Sequence, residues 1–274
     1  MALDEATLGQ LRETVRRFVS ERLIPLEAQV AEDDVVPESV VEEMRALGLF
    51  GLSIPEKYGG LGLSMFEEVQ IAFEFGRTSP AFRSVIGTNN GIGSHGIIID
   101  GTETQKNYYL PLLARGEIIS AFALTEPQSG SDAASISTTA RREGDEYVIN
   151  GTKRYITNAP EASLFTVFAR TAPKADGVKG ISALLVEGDT PGITIGPWDR
   201  KMGQRGAHTA DVTFTDCRVS ADALISGTEG VGFKTAMKVL DRGRIHIGAV
   251  CVLSLIHISE PTRRTPISYA VFCL

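Results

Sequence analysis

The sequence predicts an α+β chain of several domains: an N-terminal all-α domain, a central antiparallel β-barrel or sandwich domain, and a further helix beyond it. Three observations lead there. Apolar residues recur every three to four positions up to about residue 115. From Ile118 they give way to short runs of β-formers separated by Gly, Pro, Asp and Lys, and at Gly232 the helical period returns.

Taken in order, Leu8, Leu11, Val15, Phe18 and Val19 form one stripe with Glu13, Arg16 and Arg17 off it, which predicts a core-facing first helix. A second helix begins near Pro37, whose missing N–H costs nothing in a first turn, carries Val40, Met44 and Leu47 on one face, and stops by Gly51. The stretch "IPEKYGGLG" is a loop. Phe66, Val69 and Phe73 start another stripe that ends around Gly76, and residues 104–113 supply one more helix. The segment "GTNNGIGSHG", which contains His95, reads as a loop.

In the middle, "EYVINGTKRYITN" sets Asn150-Gly151 between two runs of β-formers, which predicts a two-residue type I′ hairpin. "LFTVFAR", "ISALLVEG", "GITIG" and "ADVTFTD" predict further strands. Ala236, Met237, Leu240 and Arg244 then fall in step on a helix expected from about 231 to 253. Beyond Leu253, "SLIHISEPTRRTPISYAVFCL" holds Pro261 and Pro266 and no sustained period, and is expected to be an appended, non-native tail rather than more helix. The expected divisions are 1–117, 118–228, 229–253 and 254–274.

With 274 residues, 43% of them hydrophobic, the chain can bury a sizeable core. A net charge of -7, with no Lys/Arg run longer than a pair, disfavours nucleic acid as a partner. Cys217, Cys251 and Cys273 show no CxxC spacing and make no disulfide framework, so a reducing compartment, the cytoplasm, is expected. No apolar run has the length of a membrane span, the first residues lack the apolar region of a signal peptide, and no metal site is assigned.

The stretch from Ala123 to Asp132, "ALTEPQSGSD", places hydroxyls, a Pro and a Gly where a strand ends. Its N–H and O–H donors suit a phosphate or the edge of a polar heterocycle, although an ordinary turn has the same composition. Its company is more specific. Together with "IPEKYGGLG", "NGTKRYITNA", "KMGQRGAHTADVTF" and "LDRGRIHIGA", in that order and spacing, it resembles the acyl-CoA dehydrogenase family over about residues 3–253.

That resemblance implies the start of a C-terminal helical bundle after the β domain, FAD as cofactor, and α,β-dehydrogenation of an acyl-CoA. It further implies electron-transferring flavoprotein as partner and a homodimer or homotetramer for the full-length protein. An acyl-CoA oxidase and a non-catalytic flavin-binding fragment are the alternatives. By position, Phe122, Ala123, Leu124, Thr125 and Ser131 would line FAD, with the backbone around Leu124 and Thr125 at the pyrimidine edge and Ser131 near the pyrophosphate and the pantetheine arm. Tyr155, followed by Ile156, would lie against the isoalloxazine, and Thr157 near N5. Asp241 and Arg244 would meet the CoA-bearing substrate.

Each residue also has a plainer reading: a cross-strand aromatic for Tyr155, a solvated hydroxyl for Thr157, and a surface ion pair for Asp241 and Arg244. Glu126 is read as structural. Most of the family carries its catalytic Glu in the C-terminal bundle, and a minority carries it where this sequence has Gly243. No catalytic residue is therefore assigned, and the chain is expected to be inert.

Overall fold

The computed structural model describes residues 3–259. Helix α1 (Glu5–Phe18) starts where Asp4 accepts the Thr7 N–H at 2.9 Å, and it buries Leu8, Val15 and Phe18 as the stripe requires. A π turn and a 3₁₀ turn lead into α2 (Glu27–Asp33). Helix α3 (Glu38–Ala46) follows Pro37 and buries Val40 and Met44.

Helix α4 (Met65–Phe75) opens with a capping box between Ser64 and Glu67. Its buried face is not the expected one. Phe66 is 73% exposed, whereas Ile71, Ala72 and Phe75 face the core together with Glu67, Glu68 and Glu74. Apolar periodicity misplaces this face because each glutamate is buried with a donor of its own. Glu67 accepts the N–H groups of Leu3 and Ser64, Glu74 accepts Arg16, and Glu68 accepts Arg242.

The segment expected as the loop "GTNNGIGSHG" belongs largely to α5 (Pro80–Asn90) and α6 (His95–Asp100), with only a turn between them. Asn is a turn former by habit, but here Asn89 and Asn90 are buried connectors. Asn89 Nδ2 donates to the carbonyls of Leu113 and Ile118, and its Oδ1 accepts the Ser120 N–H at 2.9 Å, which ties α5 to the first strand. Helix α7 (Glu103–Ala114) begins with a capping box from Thr102.

Strands β1 (Ser120–Ala123), β2 (Thr139–Glu143), β3 (Glu146–Thr157), β4 (Leu164–Arg170), β5 (Ile181–Glu187), β6 (Ile193–Ile195) and β7 (Thr209–Ser220) form one sheet. Its order is β1-β4-β2-β3-β7-β6, with β5 paired to β4. The expected antiparallel pattern holds for the pairs β2/β3, β3/β7, β4/β5 and β6/β7, but β1 runs parallel to β4, so the sheet is mixed. A parallel pair needs a long crossover, and the β2/β3 excursion supplies it.

The expected hairpin at Asn150-Gly151 does not form. Both residues lie inside β3, at a bulge where the register against β7 shifts between Ile149 and Gly151. Asn150 pairs sideways with Asp216, donating to its Oδ1 and accepting its N–H, and a Cβ on Gly151 would come within 2.5 Å of Thr138 Oγ1. The turn is instead Gly144-Asp145, joining β2 to β3, with Gly144 at φ 63°. Both dipeptides carry the same local chemistry. The long run of β3 along β7, from Glu146↔Ser220 to Thr157↔Thr209 across two register shifts, decides between them.

Helix α8 (Gly232–Ser259) packs against α4, α6 and β5. It passes the expected limit at Leu253, and neither Gly nor Pro stands between Leu253 and Pro261 to stop it. The remainder of the expected tail, 260–274, lies outside the described residues. One apolar core joins α1, α3, α4 and α5, a second fills the concave sheet, and a third sits between the sheet and α6, α7 and α8. Among the described residues no helix is long and apolar enough to cross a membrane.

Candidate functional site

The end of β1 and the end of β3 meet beneath α8, and a cleft of about 450 Å³ opens between them. Phe122, Leu124, Thr125, Ser131, Tyr155, Ile156 and Thr157 line the sheet side, and Phe233, Met237, Leu240 and Arg244 line the helix side. Ala123 is fully buried in the core of the sheet and contributes no lining. A second register shift, between Lys153 and Ile156, shapes this wall. It holds Tyr155 at φ 57°, a left-handed conformation rare for an aromatic residue, and leaves the ring 59% exposed with the Arg154 guanidinium 4.7 Å from its centroid.

The turn after β1 owes its shape to a buried ion pair. Glu126 and Ser129 exchange N–H···O bonds of 2.9 and 3.1 Å around Pro127 and Gln128. The Glu126 carboxylate accepts Ser137 N–H at 2.6 Å, Thr138 N–H at 3.0 Å and Lys153 Nζ at 2.8 Å, and Lys153 donates a further bond to the Leu124 carbonyl. Both side chains are shut off from solvent. Burial pushes the Glu126 carboxyl up, but the Lys153 ammonium and the neighbouring donors outweigh it and hold it at about 2. Glu126 is thus structural, as expected from the sequence. Lys153 was not singled out there, because a lysine in an alternating strand reads as solvent-facing.

A larger cleft, about 610 Å³, lies beside the first between α4, α5 and α8. The two share Ile92, Thr157, Leu240 and Arg244 as a common wall. Of the charges within it, sequence reasoning assigned only Arg244. Arg83 donates through Nη2 to His246 Nδ1 at 2.7 Å, and Arg242 is bonded to Glu68, which is 1% exposed. Burial raises the Glu68 carboxyl to about 7 despite the pull of Arg242. Burial, and then the adjacent Arg83 and Arg242, lowers His246 to about 3, so its ring is neutral.

The structure separates Asp241 from Arg244. They form an exposed i,i+3 ion pair of 2.7 Å, but Arg244 lines both clefts and Asp241 lines neither. Gly243 lines the larger cleft, where a Cβ would meet Ile92 Cγ2 at 3.2 Å.

Residues 5–117 match the N-terminal domain model of acyl-CoA dehydrogenases, and residues 121–217 match the middle domain model. The chain belongs to the acyl-CoA dehydrogenase family. It is 42% identical to the human mitochondrial short-chain specific acyl-CoA dehydrogenase over 89% of its own length and 58% of that protein's. Among solved structures, butyryl-CoA dehydrogenase from Megasphaera elsdenii superposes with a TM-score of 0.86 at 31% identity, covering 92% of this chain and 66% of that one. The prolyl acyl carrier protein oxidase AnaB gives 0.87 at 30% identity, covering 96% and 69%. The chain spans about six tenths of the length of the curated relatives it matches. The family is flavin-dependent.

Proposed function

We propose that the two joined clefts are the flavin and acyl-thioester sites of an FAD-dependent enzyme that dehydrogenates acyl-CoA between the α and β carbons. One observation carries this reading: Thr157 stands in the wall common to both clefts, where a cofactor in one would face a substrate in the other. The smaller cleft suits an isoalloxazine. It combines the Tyr155 ring, the hydroxyls of Thr125, Ser131 and Thr157, and a backbone at Leu124 and Thr125 held still by Lys153 and Glu126. When bound, FAD supplies the acceptor for the hydride leaving the β carbon. The chain's own part is to hold and orient. Phe122 and Tyr155 exclude water, Ser131 and Arg244 meet the pantetheine and CoA side, and Thr157 donates at the ring edge.

The same reading finds no base among the described residues. Gly243 has no side chain to take the α proton, and Glu68, the one carboxylate lining the larger cleft among the described residues, is bonded to Arg242. In the full-length protein a Glu from the C-terminal bundle is proposed as the base. Electron-transferring flavoprotein is proposed as the acceptor, a homodimer or homotetramer as the assembly, and fatty-acid β-oxidation in a reducing, cytoplasmic compartment as the setting. Residues 254–274 are proposed to be non-native. The likeness to the AnaB oxidase supports a second reading, in which oxygen takes the electrons; peroxide formed during turnover of the full-length protein identifies it.

The test is a titration of the 274-residue chain with FAD, followed by flavin fluorescence, then by acyl-CoA. Saturable but loose binding of FAD, lost on dialysis, and no acyl-CoA-dependent bleaching are expected. Flavin retained stoichiometrically through dialysis overturns the incomplete site; no flavin binding at all overturns the assignment.

A further inference from the structure

Arg170 ends β4 and is buried, and none of its partners among the described residues is a carboxylate. Its guanidinium instead collects three backbone carbonyls: Nε donates to Ile136 at 2.7 Å, Nη2 to Ala134 at 2.6 Å and Nη1 to Gly177 at 3.1 Å. Gly177 lies in the connection from β4 to β5, whereas Ala134 and Ile136 lie in the segment that leads from the turn after β1 into β2. Only a planar fork, with donors fixed relative to one another on three nitrogens, reaches all three at once.

The same segment is held from its other side. Ser137 N–H and Thr138 N–H donate to Glu126, so the peptide unit between Ile136 and Ser137 gives its carbonyl to a buried cation and its N–H to a buried anion. The two groups of a trans peptide point in opposite directions, and each charge meets the end of the peptide dipole that it attracts. Just before this gripped unit come Ser131, Asp132, Ala133 and Ala134, which line the smaller cleft and lie outside any strand. Such a segment is ordered by its anchors, and order present before a ligand arrives need not be supplied by the ligand.

We propose that Arg170 is a positioning residue for the cofactor: it does not line the smaller cleft itself, but by drawing in the carbonyls of Ala134 and Ile136 it fixes the wall from Ser131 to Ala134, and with it the affinity for FAD. This rests on the flavin reading of that cleft and adds a residue to it. The stretch of wall at Tyr155 and Thr157 is anchored separately, through β3 against β7. Arg170 therefore governs how tightly the cofactor is held, and not the surroundings of its ring.

The test is a fluorescence titration of the 274-residue chain with FAD, followed by visible circular dichroism of the flavin at saturation. Arg170→Met should bind FAD about tenfold more weakly and, once saturated, give the parent's bound-flavin spectrum. Arg170→Lys keeps a charge but cannot span three carbonyls, so it should lose affinity several-fold as well, and it decides the question alone if Arg170→Met fails to fold. Affinity equal to the parent's in either variant overturns the inference: in Arg170→Met because the residue is then dispensable, in Arg170→Lys because charge alone then suffices. Weakened binding with an altered bound-flavin spectrum also overturns it, since Arg170 would then support the whole site and not one stretch of its wall. Absence of FAD binding by the unmodified chain overturns the flavin reading, and this inference with it.

Discussion

The two clefts share a wall and are made in opposite ways. The smaller is assembled largely from strand ends and a turn whose residues are close in sequence, and its buried charges lie behind it, in the Lys153–Glu126 pair. The larger is walled mainly by helices and carries charges on its surface, from Glu68, Arg83, Arg242 and Arg244, beside a neutral His246. In the first, buried charge stiffens a backbone; in the second, buried charge faces the space where a ligand would sit. A polar group behind a site and one inside it can be equally buried, and only the second can select a ligand.

Removing the ammonium from behind the smaller cleft breaks this comparison most forcefully. Lys153→Met leaves the Glu126 carboxylate buried without its counterion and should cost about 3–5 kcal/mol of stability, read by urea or thermal unfolding. Adding Glu126→Leu should restore much of the loss, since an apolar pair needs no charge compensation. A Lys153→Met protein as stable as the parent would show that the pair does not stiffen the turn. Acid should act on the same group. The Glu126 carboxyl is depressed in the folded state, so its contribution is present above its unfolded value of 4.5 and is lost as pH falls toward about 2.

The same contrast explains what the sequence made legible. The changes of period at Ile118 and Gly232 mark the sheet and α8 to within a few residues, because side chains that alternate or repeat are near neighbours along the chain. "ALTEPQSGSD" and "RYIT" delivered the lining of the smaller cleft for the same reason. The larger cleft depends on partners such as Arg83 with His246 and Glu68 with Arg242, which lie 163 and 174 residues apart. No local pattern shows that two such residues will meet. The misplaced face of α4 has this cause too, since Glu68 looks solvent-bound until Arg242 is opposite it. The parallel partner of β1 and the choice of Gly144-Asp145 over Asn150-Gly151 were likewise settled by tertiary pairing.

The second test reaches the larger cleft through pH. Glu68 is raised to about 7 in the folded protein from an ordinary 4.5, so the folded state binds more protons in that window. The advantage of the parent over Glu68→Gln should fall as pH rises from about 4.5 to 7, by on the order of 3 kcal/mol. His95 and His246 are lowered to about 4 and 3, which removes stability from both proteins as pH drops below 6.5 and cancels in the difference. A difference that stays flat across the window would mean that Glu68 is ionised and fully matched by Arg242.

Thr157, in the common wall, should matter less. Thr157→Val keeps the shape and removes one hydroxyl, so FAD affinity should weaken about fivefold, the worth of one hydrogen bond of roughly 1 kcal/mol. Fluorescence titration of both proteins measures it, and equal affinities would take Thr157 out of flavin binding.

The smallest effect belongs to Asp241. Its ion pair with Arg244 is exposed on both sides, so Asp241→Asn should change stability by at most a few tenths of a kcal/mol. Acyl-CoA affinity is the more telling measurement, because the resemblance assigned Asp241 and Arg244 one role and the clefts divide them. Arg244 lines both clefts and can reach a ligand in either; Asp241 can act only by steadying Arg244, a long side chain that loses one restraint and keeps its charge. Asp241→Asn should therefore weaken acyl-CoA binding by less than about twofold, whereas Arg244→Gln, which removes a charge from the ligand's own surface, should weaken it by about tenfold, or roughly 1.4 kcal/mol. Equal losses from the two substitutions would mean that the carboxylate contacts the ligand directly or that Arg244 depends wholly on it, and the division drawn from the clefts would then fail.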